Sequence, residues 1–310
     1  MYILGDLVNN CNLELEMAAE WFQANRLTLN AKKTKCMVFG PNGNSVPLPK
    51  NLNIAGETIE RIVDRLPKKH FKFVGVLLDD NINWNEQFKL VKNNLAKVSY
   101  NLARAKRCIP EHIELLIYNS LIRYHLEYWL PIWGDLSSAN KKTLLGIQNN
   151  AVRNIRGSKY NSHTDPIFRK QKIMKFCDLY NFNCASLMFK ISMGIHPPSI
   201  TNMFIKCDNF DRNLNYSLDM LPYTYLKKLV PHSLIKIWNS TNIAHKNYLK
   251  EKPAGISKLI NAPIEKIPGG LNRSLNNFRL NLFEKSLKDS FIYSYKERVK
   301  CNNEYCLDCI

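Results

Sequence analysis

The chain has no long apolar segment and no targeting segment at its start. No stretch of its 310 residues approaches the roughly 18 consecutive apolar residues that a membrane-spanning helix needs. Residues 1–6 lack the basic region and the apolar run of a signal peptide. No internal repeat or long low-complexity tract is visible either. These absences predict a soluble intracellular protein, in the cytoplasm, the nucleus or both, with no membrane partner.

Acidic residues are scarce relative to basic ones. The 26 Asp and Glu residues stand against 44 Lys and Arg residues, which gives a formal charge of +18. A field of this sign attracts polyanions, so nucleic acid is the leading partner class. The excess is concentrated in residues 141–175, where nine basic residues accompany a single acid, Asp165. This concentration favours phosphate contact, although a basic run on a helix can also be a solvated face.

The cysteines form no evident disulfide framework. Nine cysteines is an odd number, and most stand singly in apolar surroundings, as Cys36 and Cys184 do. This usage is typical of buried thiols in a reducing compartment. In the tail, Cys301, Cys306 and Cys309 have a spacing that allows them to supply three soft ligands to zinc. No fourth ligand is apparent nearby in the sequence, so these cysteines can equally be unligated thiols.

The hydrophobic pattern changes period near residue 85. A content of 45% hydrophobic and 11% aromatic residues is enough for a packed core. Apolar residues recur at helical spacing from Leu7 to Leu27 and predict an amphipathic helix that packs its Trp21 side on a sheet. The predicted strands that follow are 36–39, 52–54, 59–63 and 71–78. The predicted helices are 86–107, 111–130, 138–156, 176–193, 231–240 and 271–290.

This pattern predicts an α+β fold in four parts. A small N-terminal part, with a helix on an antiparallel sheet, precedes a mainly α-helical remainder. The predicted regions are 1–85, 86–195, a mostly helical connecting region at 196–300, and the cysteine-bearing tail at 301–310.

Four segments of the first 195 residues carry specific motifs. The first contains Leu-Asn-Ala-Lys-Lys-Thr, and the second reads Phe-Lys-Phe-Val-Gly-Val-Leu-Leu-Asp-Asp-Asn-Ile-Asn-Trp. In order along the chain the segments are 21–39, 71–84, 116–134 followed by 144–155, and 164–168 followed by 178–180. Together, in this order and spacing, they resemble the C-terminal half of non-LTR retrotransposon reverse transcriptases of the jockey-like or LINE type.

The resemblance implies a partial palm at 1–85 and a thumb-like region at 86–195. It also implies that the family's catalytic Asp-Asp turn, which holds magnesium together with an earlier aspartate, lies before Met1. Asp79 and Asp80 do not replace that turn, because neighbours on a strand face opposite ways and no third acid converges on them. We therefore expect a fragment of an RNA-directed DNA polymerase that binds no cofactor itself and does not polymerise alone.

Four residues of the first region match the family's functional positions. Lys33 corresponds to a lysine near the phosphates of the incoming nucleotide, although a surface lysine is the plainer reading. Phe73, Val74 and Gly75 correspond to the primer-grip turn, where a glycine allows the backbone to approach a phosphate closely. A glycine that marks a β-bulge is the alternative at this position.

Trp84 and Gln87, which follow this strand-turn-strand segment, can also be compared with the family. Trp84 is more typical of a core anchor than of a platform for base stacking. The family commonly has His three residues after this tryptophan, whereas this chain has Gln87.

The thumb-like region contributes the expected contacts to a template-primer duplex of RNA and DNA. These contacts are with phosphates and depend on salt rather than on base sequence. The basic residues in question are Arg123, Lys141, Lys142, Arg153 and Arg156. Aromatic residues recur nearby at spacings that favour a helix core over nucleic-acid stacking, namely Tyr118, Tyr124, Tyr128, Trp129 and Trp133.

Two functional readings remain open at the level of sequence. In the first, the chain is a reverse transcriptase fragment that keeps template-primer binding, and its partner is the missing palm and fingers portion or a related polymerase. Its strands would then lack neighbours, which predicts poor solubility. In the alternative, the chain is a nucleic-acid-binding or scaffold protein captured from a retroelement and used without chemistry.

Overall fold

The computed structural model describes residues 4–30, 32–39, 51–54, 56–62, 70–79, 81–105, 110–207, 215–217, 230–241, 243–246 and 269–298. The chain divides into two compact units, Met1–Gln87 and Phe88–Ile310. The first unit combines one long helix with two small sheets, and the second unit is mainly helical, which confirms the α+β class.

The first unit places one long helix on a mixed three-stranded sheet. Strands β2 and β3 form an antiparallel hairpin, whereas β1 pairs with β3 in parallel, with Lys35 opposite Glu60. The sequence predicts an antiparallel sheet, which the β2–β3 pair confirms and the β1–β3 pair contradicts. The strand order is β1-β3-β2, so β1 pairs with β3 and not with β2, its neighbour in sequence. Strands β1 and β3 run in the same direction, and β2 runs opposite to both. The elements are α1 (Leu4–Ala24), β1 (Lys35–Cys36), β2 (Asn51–Ile54) and β3 (Glu57–Arg61).

The core of this sheet is built on two isoleucines, Ile54 and Ile59, which are both 2% exposed. Helix α1 covers them with Leu15 and Ala19, which lie one helical turn apart. The prediction that the Trp21 side packs on the sheet is wrong. The small side chain of Ala19 turns inward instead, and three large apolar residues stay exposed in a row on α1: Leu13, Met17 and Trp21.

A second, two-stranded antiparallel sheet follows in the same unit. Strand β4 (His70–Phe73) pairs with β5 (Val76–Asp79), and Phe73 lies opposite Val76. Trp84 is buried, as expected of a core residue, and helix α2 (Asn85–Ala105) begins directly after it.

Helix α8 lies at the centre of the second unit. It contacts α4, α5, α6, α10 and α12 and buries residues on most of its sides. Phe189 stacks on Phe283 of α12 at a ring distance of 4.3 Å, and Trp238 of α10 packs against both rings. The further elements are α3 (Glu111–Ile117), a π-helix (Tyr118–Arg123), α4 (Tyr124–Glu127), α5 (Leu130–Trp133), α6 (Ser138–Ile155), α7 (Asp165–Lys170), α8 (Phe176–Ser192), α9 (Pro198–Thr201), β6 (Ile205–Lys206), β7 (Tyr216–Ser217), α10 (Val230–Ser240), α11 (Ile243–Lys246) and α12 (Gly269–Arg298).

A buried glutamine connects three parts of this unit. The Gln148 side chain on α6 donates to the Tyr118 hydroxyl at 2.8 Å and to the Met174 carbonyl at 2.9 Å. Its own oxygen accepts the N–H of Phe176 at 2.9 Å. Since buried polar groups are costly unless they are paired, these three bonds fix α6 against the π-helix and the start of α8.

The predicted single helix at 111–130 is interrupted. Its middle is the π-helix, and the chain then breaks at Trp129, which adopts a left-handed φ of 52°. Buried residues follow at intervals of four along this segment, at Tyr118, Ile122, Leu126 and Leu130. A spacing of four is wider than the 3.6 residues of an α-helical turn, so the π-helix keeps this row facing the core.

Candidate nucleic-acid interface

The tip of the β4–β5 hairpin is a strained apolar turn. Val74 and Gly75 connect the strands with φ values of 45° and 85°, so both turn residues have the positive φ of a type I′ hairpin. Gly75 adopts this conformation readily, but a β-branched residue such as Val74 rarely does. Phe73 and Val74 nevertheless expose 57% and 54% of their surfaces. Gly75 is therefore a turn glycine rather than the marker of a bulge.

Gln87 anchors this hairpin to the start of α2. Its side-chain oxygen accepts the backbone N–H of Leu77 at 3.0 Å, and the residue is 3% exposed. The family resemblance marks Gln87 only as the absence of a histidine and does not indicate this anchoring role. Its signal was present, because Gln87 lies four residues before Val91 on the buried face of α2.

Asp79 closes the loop that leads to Trp84. Its carboxylate accepts the N–H of Asn83 at 2.9 Å, and its carbonyl accepts the N–H of Ile82 at 3.2 Å. This is the local hydrogen bonding expected of an aspartate at a turn. Asp80 lies outside the described residues. Within the described ranges, no three His, Cys, Asp or Glu side chains are grouped closely enough to hold a metal ion.

Lys33 lies in a turn organised by Asn30. The Lys33 N–H donates to the carbonyl and the side-chain oxygen of Asn30, both at 3.1 Å, and the Thr34 hydroxyl donates to the same carbonyl at 2.9 Å. These bonds fix the backbone just before β1 and leave the Lys33 side chain exposed. The lysine is accessible to an anion at this position.

The predicted basic residues of the second unit differ in how they are held. Arg123 forms an ion pair with Glu127 at 2.8 Å, and Lys141 pairs with Asp135 at 3.2 Å. Arg153 donates to the carbonyl of Ser162 at 2.9 Å and so fastens the loop after α6. Lys142 is exposed, whereas Arg156 is half-buried.

Four of these residues border three different cavities. Arg123 borders one cavity, Lys141 and Lys142 border a second, and Arg153 borders a third. The second cavity has a volume of about 540 Å³ and lies between α6, α8 and α10.

The aromatic residues near the π-helix divide into a buried and an exposed set. Tyr118 and Trp133 are buried, as predicted, and burial raises the pKa of the Tyr118 hydroxyl above its ordinary value. Tyr124 and Trp129 are instead 56% and 43% exposed, so the prediction of a core position is wrong for them. The interrupted helix explains the error, because the periodicity of a regular α-helix does not apply across residues 118–129.

The exposed Tyr124 and Trp129 form a short row with the half-buried Tyr128. The rings of Tyr124 and Tyr128 are 5.7 Å apart, and those of Tyr128 and Trp129 are 6.5 Å apart. The carbonyl of Tyr128 accepts the indole N–H of Trp133 at 2.7 Å, which fixes the chain at the break. Exposed aromatic rings of this kind can stack with nucleic-acid bases or pack against a protein partner.

Comparison with protein-family models found no match, and searches of curated proteins and of solved structures found none either. The resemblance to non-LTR reverse transcriptases therefore depends on the motifs of the chain itself. The tail cysteines Cys301, Cys306 and Cys309 lie outside the described residues. None of the helices in the described ranges is long and apolar enough to cross a membrane.

Proposed function

We propose that this chain is the partial palm and the thumb-like region of a non-LTR reverse transcriptase, and that it binds a template-primer duplex. In this proposal the metal-binding carboxylates of the polymerase lie outside the chain, so the chain alone binds nucleic acid without extending a primer. The proposal includes a zinc ion held by the thiolates of Cys301, Cys306 and Cys309 in the tail.

The hairpin tip at Phe73, Val74 and Gly75 is the observation that carries the proposal. The resemblance implies a strand-turn-strand that grips the primer at this position. The hairpin has its turn at these residues, with two adjacent apolar side chains in solvent and a valine in a conformation that valine avoids. Strain and exposed apolar surface both cost stability, and such costs concentrate at sites that contact a ligand.

Electrostatics supports the same function. The formal charge of +18 provides long-range attraction to a polyanion, and Lys33 and Lys142 present exposed cations. Binding through such residues depends steeply on salt, since each phosphate that is neutralised releases condensed counterions.

The test measures the binding of an RNA–DNA template-primer duplex by fluorescence anisotropy. Phe73→Ser should weaken binding by about tenfold, since an aromatic contact to one base contributes about 1–3 kcal/mol. Phe39→Ser is the matched control, because Phe39 is a similarly exposed phenylalanine of the same unit outside the hairpin. Equal affinities of the two variants would contradict the role of the hairpin tip, and a wild-type chain that ignores the duplex at low salt would contradict the whole proposal.

A primer-extension assay with magnesium tests the second half of the proposal. The chain alone should leave the primer unextended, while a version that includes the upstream Asp-Asp turn should extend it. Extension by the chain alone would contradict the placement of the carboxylates outside it.

The alternative of a captured scaffold protein is favoured by a different observation. Leu13, Met17 and Trp21 form an exposed apolar row on α1, which is the type of surface that packs against a protein. The same row also fits the missing palm and fingers portion, or a related polymerase, as the partner. A chain that binds such a polymerase but no duplex would favour the scaffold.

A further inference from the structure

A small polar cavity in the second unit collects three cations. It has a volume of about 150 Å³ and lies between the π-helix, the turn after α7, and helices α8 and α12. Arg123, Lys172 and Lys288 border it from three different elements, and Asn119 and Gln171 also line it. Its lining, within the described part of the chain, includes no Asp or Glu. The volume suits one oxyanion with a few waters.

Lys172 occupies a backbone position that normally belongs to glycine. Helix α7 ends in a Schellman motif, in which the Lys172 N–H bonds to the Arg169 carbonyl and the Ile173 N–H bonds to the Phe168 carbonyl. The first residue after the helix cap in this motif adopts a left-handed conformation. That residue is Lys172, which has a φ of 53°. This conformation is unfavourable for a side chain with a Cβ.

Other helix ends of the chain provide comparators. Helices α6 and α8 end in the same motif with glycine, at Gly157 (φ 63°) and Gly194 (φ 68°). Helix α1 ends in the motif with a basic residue, Arg26 (φ 56°). Since a cation is favourable at any helix C-terminus, the conformation of Lys172 alone does not indicate a ligand. Its position in a cavity with two further cations distinguishes it from Arg26.

Arg123 reaches the same cavity from a second backbone irregularity. It is the last residue of the π-helix, and its Nη2 and Nε atoms both contact Oε1 of Glu127, at 2.8 and 2.9 Å. A guanidinium has five N–H donors, so this pairing orients the group and leaves other donors for a second acceptor. Isolated π-turns occur frequently at functional sites.

We propose that this cavity binds a phosphate group, with Arg123, Lys172 and Lys288 as its charged ligands. The phosphate can come from a nucleic-acid backbone or from a free phosphorylated molecule, since the three cations recognise the same group in both. The site does not depend on the proposed function, because all of its lining residues belong to the second unit and none belongs to the hairpin.

The experiment follows the ³¹P linewidth of inorganic phosphate as the full chain is added at constant ionic strength. Lys172→Gly removes a ligand and supplies the residue that the backbone prefers, so the variant should fold at least as stably and bind phosphate about tenfold more weakly. Arg26→Gly makes the same exchange of a cation for glycine at the end of α1 and should leave phosphate binding unchanged. Lys288→Gln should weaken binding to a similar extent, whereas Lys285→Gln, at an exposed position of the same helix, should not.

Two results would overturn the proposal. One is the absence of broadening with the wild-type chain, and the other is an equal loss in the Lys172→Gly and Arg26→Gly variants, which would indicate a general basic surface. A second arm adds a short RNA–DNA duplex to the phosphate-bound chain. Displacement of the phosphate would identify a backbone phosphate as the natural ligand, and retention would identify a free one. Phe73→Ser separates this site from the hairpin, because that variant should bind inorganic phosphate normally.

Discussion

Two glycines of the second unit should respond in opposite directions to the same substitution. Gly134 follows α5, and a Cβ placed on it would lie 2.5 Å from a Tyr180 ring carbon and 2.7 Å from the Leu130 carbonyl oxygen. Gly146 lies in the middle of α6, and a Cβ there would meet nothing within 4 Å. Both backbones are compatible with alanine, since neither glycine has a positive φ. Local space is therefore the main difference between the two sites.

The expected magnitudes follow from that space. Carbon atoms pack at about 3.5–4.0 Å, so the Gly134→Ala methyl group overlaps a buried ring and a backbone carbonyl by about 1 Å. Overpacking of this type costs about 1–3 kcal/mol, and we expect the upper half of that range because Leu130 is held in a helix. Gly146→Ala should instead stabilise by about 0.5–1 kcal/mol, because it removes the entropy that glycine loses in a helix interior.

Urea unfolding of both variants, followed by helical circular dichroism, checks these values. Since both sites belong to the same unit, they report on the same transition. In thermal melts the shifts should be about 4–12 °C downward for Gly134→Ala and about 1–4 °C upward for Gly146→Ala. A neutral Gly134→Ala would refute the packing of Tyr180 against that turn, and a destabilising Gly146→Ala would refute the open space along α6.

Three further outcomes are expected in the second unit. Gln148→Leu should cost about 3–5 kcal/mol in urea unfolding, because it leaves the Tyr118 hydroxyl, the Met174 carbonyl and the Phe176 N–H buried without their partner. Burial raises the pKa of the Cys184 thiol from 9.0 to about 12, so the unfolded chain loses this proton first as the pH rises. The stabilisation is complete below pH 9 and is lost towards pH 12, and Cys184→Ala should flatten that alkaline decline in a series of urea titrations. Finally, Lys142→Gln should reduce the salt dependence of duplex binding by about one phosphate contact, whereas Lys141→Gln should change it less, because Lys141 is already paired with Asp135.

Several regular helices of this chain could be predicted from its sequence. The predicted helices 138–156 and 176–193 agree with α6 and α8 to within one residue at each end. The predicted helix 271–290 lies within α12, which extends to Arg298. The buried residues of α6 recur at helical spacing, so the pattern contains the information there. Helix α8 buries residues on most of its sides and is marked by a long, mostly apolar run instead.

Three features could not be obtained in this way. The parallel pairing of β1 with β3 joins strands that are not neighbours in sequence, and periodicity does not specify strand order. On α1, the rows Leu13–Met17–Trp21 and Leu15–Ala19 have the same spacing, and only the sheet decides which row is covered. The π-helix shifts the facing of every residue that follows it, which exposes Tyr124 and Trp129.

Only part of the candidate site could be predicted from the sequence. The resemblance to the reverse transcriptase family predicts the turn at Phe73, Val74 and Gly75, whereas the hydrophobic pattern predicts one continuous strand at 71–78. That strand prediction is wrong, because the chain reverses at Val74 and Gly75 and forms β4 and β5. The anchoring role of Gln87 depends on a hydrogen bond to the backbone of Leu77, which a motif comparison does not contain.

Net charge is a poor guide to which cations of this chain are available to a phosphate. A carboxylate within hydrogen-bonding distance partly neutralises a cation. Arg123 beside Glu127 and Lys141 beside Asp135 therefore each attract an anionic ligand less strongly than an unpaired cation would. Lys33 and Lys142 retain exposed side chains, while Lys172 and Lys288 converge on a cavity bordered by Arg123. Basic residues are densest at 141–175, yet Lys288 lies far outside this interval. It reaches the cavity because α12 packs on α7 and α8. The fold therefore decides which cations come together in this unit, and the density of basic residues along the chain does not predict that grouping.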